Sequence, residues 1–98
     1  MMSDTLPQQT EKQFQQAVID YAHRMGWSVY HTYDSRRSAP GFPDLVLCRG
    51  RVVFAELKRA GGRLSVTQRA WLDDLRRADQ EVYVWYPDDW PDIESVLT

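Results

Sequence analysis

The chain predicts an α/β domain with the element order α-β-β-β-α-β and a short terminal helix. Three observations carry that reading. Two amphipathic helical stripes each open on a cap signature, Thr10 with Gln13 and Ser65 with Gln68. Short β-prone runs lie between and after them, bounded by Gly and Pro. One run, residues 51–58, is apolar on both faces: Val52 and Phe54 on one, Val53, Ala55 and Leu57 on the other. That suits a central strand covered by a helix on at least one side.

The first helix is expected over residues 11–25. Phe14, Ala17, Val18, Tyr21, Ala22 and Met25 form one apolar stripe, and Gly26 suits the position after its end. A strand follows over 27–32. Residues 33–42 read as a loop carrying Arg36-Arg37 and Pro40-Gly41. Residues 45–47 and 51–58 then form a hairpin, and 59–63 a Gly-rich loop. The second helix should run from Val66 to about Ala78, burying Ala70, Trp71, Leu75 and Ala78. Residues 81–86 alternate as a last strand. Asp89-Trp90-Pro91 can open a short helix, with proline in its first turn.

With 98 residues the chain has room for one small core. Residues 1–9 read as a flexible N-terminus and 10–98 as a single domain. Cys48 is the one cysteine, so no intramolecular disulfide forms and a reducing cytoplasm is the expected setting. No apolar stretch reaches membrane-span length, and the polar start lacks the apolar core of a signal peptide.

The chemistry concentrates in Asp44, Glu56 and Lys58. Glu56 and Lys58 share one face of a strand, because side chains alternate. A two-residue turn at Arg49-Gly50 would put Asp44 on the opposite face. A three-residue loop, Cys48-Arg49-Gly50 with a left-handed glycine third, pairs Asp44 with Phe54 and brings all three residues to one face. That loop, or a bulge of the same parity, is the expectation. Asp44 and Glu56 are the only acids between Ser35 and Leu72, a stretch rich in arginine. At ~4 Å their repulsion is about 1–4 kcal/mol, which a hard cation held through oxygen would remove. Two surface acids that never meet would give the same sequence. The net charge of −2 does not argue against nucleic acid, because acids gather after Asp73 and leave the middle basic.

Gly41-Phe42-Pro43-Asp44, then Phe54-Ala55-Glu56-Leu57-Lys58, then Leu64-Ser65-Val66-Thr67-Gln68 resemble the VRR-NUC family of the PD-(D/E)XK nuclease superfamily. The resemblance spans Glu11 to about Tyr86. Val66 departs from it, since family members often carry proline there. It implies a restriction-endonuclease-like αβββαβ core, a mixed sheet flanked by helices. It also implies a Mg²⁺- or Mn²⁺-dependent endonuclease acting on branched DNA such as four-way junctions, as a homodimer. Asp44, Glu56 and the Leu57 carbonyl would hold the metal, with Glu11 acting through water. Lys58 would assist the attacking water and Gln68 would face the site. A non-catalytic DNA-binding module on the same fold is the alternative.

Each residue also has a plainer role. Glu11 suits the positive end of a helix dipole, and Gln68 suits the capping box. Arg36 and Arg37 read as phosphate contacts beside Asp44, with Arg59 and Arg63 joining them from the Gly-rich loop; a solvated surface is the rival. His31 reads as strand packing and His23 as solvent-facing. Trp85, Trp90, Ile93 and Leu97 offer themselves either to the core or to a dimer partner.

Overall fold

The computed structural model describes residues 9–33 and 37–98. Arg36 and most of the expected flexible start lie outside the described residues. Helix α1 (Glu11–Arg24) follows the predicted stripe. Thr10 and Gln13 close the capping box reciprocally, at 3.0 and 2.9 Å. Gly26 then adopts φ +86°, which ends the helix and turns the chain into the sheet.

Strands β1 (Ser28–His31), β2 (Leu45–Cys48), β3 (Val52–Leu57) and β4 (Glu81–Trp85) lie side by side in chain order. The first two pairings are antiparallel; β3 and β4 are parallel, joined through helix α2 (Val66–Arg77). β3 is therefore a central strand, as its two apolar faces require. Helices cover both sides. Phe14, Val18 and Ala22 of α1 pack with Leu45, Leu47, Val53, Ala55 and Leu57 on one face. Phe42 wedges between Phe54 and Trp71 on the other, edge to face with both rings.

The hairpin corrects its predicted register and keeps the parity. Cys48 pairs with Val52, so the loop is Arg49-Gly50-Arg51 rather than Cys48-Arg49-Gly50. Gly50 sits at its centre with φ +69°. Extending the ladder puts Asp44 opposite Glu56, not Phe54, and both on one face. The shift lengthens the ladder by a pair and moves Arg51 into the loop beside Arg49. Arg49 donates to the Met25 and Thr98 carbonyls, and Arg51 to Glu81 and the Val96 carbonyl. Both guanidiniums also cover the Trp27 ring. These two bases of the arginine-rich stretch are structural ties.

Helix α2 buries a face that only partly matches the one expected. Ala70 and Ala78 are exposed, while Leu72 is buried and Trp71 and Leu75 are half-buried. Gln68 and Leu72, one turn apart, face the sheet. The polar residue at the head of that stripe hid it from a search for apolar periodicity.

The terminal helix α3 (Trp90–Leu97) follows a 3-10 turn at Pro87–Asp89. Trp85, Ile93 and Leu97 are fully buried in the core shared with α1. Trp90 packs edge to face on Phe14 and Tyr21. The Trp27 indole N–H donates to the Leu97 carbonyl at 2.9 Å, satisfying its one polar group. The surface expected to pair with a second copy is thus spent on the monomer. Each large apolar side chain buried there contributes about 1.5–3 kcal/mol, which a domain of this size needs for itself.

Candidate active site

Asp44 stands just before β2 on a segment tied at several points. Pro43 is buried. Thr32 donates through its hydroxyl to the Pro43 carbonyl and through its N–H to the Asp44 carbonyl. The carboxylate accepts the Leu57 N–H at 2.8 Å, capping β3 beyond the Leu45–Ala55 pair that ends its ladder with β2. In a strand the N–H and C=O of one residue point to the same side. The Leu57 carbonyl therefore faces the Asp44 side, while the Lys58 N–H bonds across to Trp85 in β4.

Glu56 is 1% exposed, at the end of the central strand. Its Oε2 accepts the Gln68 side-chain N–H at 2.8 Å and lies 3.9 Å from the Lys58 ammonium. Its Oε1 is buried with no hydrogen-bond partner among the described residues. Burial, then the Asp44 charge, push the Glu56 carboxyl up to about 8, against the pull of Lys58. Asp44 is raised too, by burial first; the Leu57 N–H opposes this and the Glu11 charge adds to it. One buried and one half-buried carboxyl group, when both are ionised, outnumber the single ammonium beside them.

Gln68 makes the expected cap and also reaches Glu56. Its Oε1 accepts the Ser65 N–H at 2.8 Å, closing the capping box, while its Nε2 holds Glu56. The cap fixes the amide, and the amide fixes the carboxylate.

Glu11 is exposed in the first turn of α1 and lines a cleft with Asp44. Its charge raises both buried acids. No cluster of three or more His, Cys, Asp or Glu side chains suited to a metal forms among the described residues. Glu11 therefore does not join Asp44 and Glu56 as a third acid around one point, and the oxygens that could hold a cation are those of Asp44, Glu56 and the Leu57 carbonyl. The orphaned Glu56 oxygen, the charge deficit and the all-oxygen set fit a hard divalent cation.

Arg37, Arg59 and Arg63 are exposed. The last two sit on the loop linking Lys58 to the Ser65 cap, pinned by Tyr86 through the Gly62 carbonyl. Arg59 rests on the Ala60 carbonyl at 3.2 Å. The same cleft contains Gln15, His31, Thr32 and Tyr33, none of which the sequence assigned to the site. Gln15 lies one helical turn after Glu11, the spacing that could have revealed it. His31, expected to be packing, instead meets the Gln15 amide at 2.7 Å.

Known proteins bear on this arrangement. The VRR-NUC domain model matches residues 4–88. The chain belongs to the VRR-NUC family. A solved VRR-NUC domain protein superposes with TM-score 0.75 at 18% identity, over 92% of this chain and 87% of the other. Another VRR-NUC domain gives 0.71 at 21%, over 89% and 92%. Hjc, a Holliday junction resolvase from the archaeal hyperthermophile Archaeoglobus fulgidus, gives 0.57 at 22%, over 76% and 66%. Comparison with curated proteins finds no match. The fold is the restriction-endonuclease-like one, and the VRR-NUC family is a nuclease family.

Within this VRR-NUC domain Gly41 has a definite task. Its φ is +87°, and a Cβ there would lie 2.5 Å from the Thr67 carbonyl oxygen and 2.7 Å from the Gln68 nitrogen. The loop ahead of Asp44 thus presses on the first turn of α2, locking Asp44 and Gln68 into one unit. Gly41→Ala is expected to lower stability by more than the ~1–2 kcal/mol of the left-handed backbone alone. Thermal denaturation checks it; an unchanged melting temperature would show that the loop does not press on the helix.

Proposed function

We propose that this VRR-NUC protein is a divalent-metal-dependent endonuclease that hydrolyses phosphodiester bonds in branched DNA, four-way junctions among them. The observation that carries the reading is the buried Glu56 carboxyl beside half-buried Asp44, with one Glu56 oxygen that has no partner among the described residues. Such a pair is costly in a small domain unless a cation completes it. A Mg²⁺ or Mn²⁺ ion there would neutralise charge on the phosphate and acidify a bound water.

The chain's own groups supply the rest. Gln68 orients Glu56, and the Leu57 N–H orients Asp44. Lys58, half-buried beside Glu56, is placed to hold the attacking water or an oxygen of the phosphate. Arg37, Arg59 and Arg63 offer exposed positive charge to the backbone of the DNA. The branched substrate rests on the likeness to the Hjc resolvase. Symmetric cuts in a junction take two copies related by a two-fold axis, so a homodimer is part of the proposal. Its contact surface must lie away from the buried Trp85, Ile93 and Leu97.

Linear duplex, flapped, bubble and four-way junction DNA should be incubated with Mg²⁺, Mn²⁺ or EDTA. Cleavage of the junction with either metal, and none with EDTA, is the expected result. Binding of every shape without cleavage under any metal would favour a non-catalytic module.

A further inference from the structure

Beyond the carboxylates the cleft continues along the edge of the sheet. The hollow containing Glu11 and Asp44 shares His31 and Tyr33 with a second one, lined also by Tyr30, Ile19, Gln16 and His23. Tyr33 is 85% exposed and Tyr30 61% exposed. The Tyr33 ring lies 4.4 Å from that of His31, tilted 47°, and Gln15 holds His31 from behind. The Tyr33 ring thus presents an open aromatic face beside the cleft that holds Asp44, and such a face can stack on a flat partner. No carboxylate lines the second hollow, and His23 and His31 can only add positive charge, so a basic peptide is a poor occupant.

We propose that Tyr33, with His31, forms a stacking subsite for an unpaired nucleobase of the strand whose phosphate lies at Asp44. The idea rests on the nuclease reading and deepens it. A duplex keeps its bases stacked and cannot offer a free face, whereas a flap or bulge can, and a four-way junction can where a pair at its crossover opens. Aromatic stacking accepts any base, because every base has a π-face. The subsite would therefore select for an unpaired nucleotide beside the cut rather than for sequence. It gives one chain a reason to prefer branched DNA.

Binding in Ca²⁺ separates this from chemistry. A duplex with one bulged 2-aminopurine is compared with a fully paired duplex of equal length. Wild type should bind the bulged DNA more tightly and quench the 2-aminopurine emission. Tyr33→Ala should weaken bulged-DNA binding about 10-fold or more, shrink the preference and restore emission. Tyr33→Trp should keep both. Equal loss on the two DNAs, or no loss, would overturn the subsite. So would a sedimentation shift from dimer to monomer in Tyr33→Ala, which would make the ring a contact between copies. A protein that cuts no DNA but shows the Tyr33-dependent preference would refute the nuclease reading and leave the subsite standing. Efficient cutting with a Tyr33-independent preference would do the reverse.

Discussion

Glu56→Gln is expected to abolish cleavage and to raise the melting temperature of the metal-free protein. The substitution removes one of two cation-holding charges and keeps an oxygen for the Gln68 amide. Several kcal/mol of charge stabilisation go with the cation, so the rate should fall by about 10³ or more. Stability should move the other way, because folding above about pH 4.5 no longer has to protonate or bury the Glu56 carboxylate. For a domain of this length each kcal/mol gained raises the melting point by about 4–8 °C.

The pH dependence gives the sign independently. Glu56 titrates near 8 in the folded chain against an ordinary 4.5. Between those values the folded state binds more protons than the unfolded one. The stability from this proton is fully present below about 4.5 and is lost as pH rises through 8. Metal-free wild type should lose melting temperature across that window, and Glu56→Gln should lose less. Divalent metal should restore stability at the alkaline end. A Glu56→Gln protein that melts lower than wild type at pH 8, or still cuts with Mg²⁺, would refute this account.

Asp44 needs a different substitution. Alanine would strand the Leu57 N–H, at about 1–3 kcal/mol if it stays buried. Asparagine keeps an acceptor and removes only the charge, so it is the cleaner test of metal binding.

Lys58→Ala is the second large effect expected. Single-turnover cleavage should fall by about 10²–10³, the usual worth of one transition-state contact. Binding measured in Ca²⁺ should change far less. The ammonium 3.9 Å from Glu56 opposes that carboxyl's upward shift. Its loss should make Glu56 hold its proton more tightly, so the pH–rate profile should move to higher pH along with the drop. Equal losses in binding and rate, with no shift in the profile, would reduce Lys58 to a phosphate contact.

Much of the fold was written in local patterns. The stripe in α1, both capping boxes and the two-faced strand β3 set the element order, because each depends on residues within a turn or a few strand positions. The parity argument at the hairpin also held, since side chains alternate whatever the loop. The loop itself moved by one residue, because Arg49 and Arg51 find partners in Met25, Glu81, Val96 and Thr98, distant in the chain. The buried face of α2 was only partly foreseen, with Trp71 and Leu75 but without Leu72, for a related reason: its leading residue, Gln68, turns inward to meet a carboxylate rather than an apolar neighbour.

The sequence by itself determined which residues could do the chemistry: a lone pair of acids, a lysine two positions on, and a glutamine at a helix start. It also determined the family, through motifs in order. The tertiary structure decided that Glu56 is buried with an unpartnered oxygen, and that Gln68 serves cap and carboxylate at once. It also decided that Trp85, Ile93 and Leu97 close the core rather than a dimer, and that His31 and Tyr33 extend the cleft. Charge, propensity and periodicity are properties of neighbours in the chain. Desolvation and side-chain satisfaction depend on what packs from elsewhere, and only the folded chain brings Asp44, Glu56, Gln68 and the edge of β1 to one place.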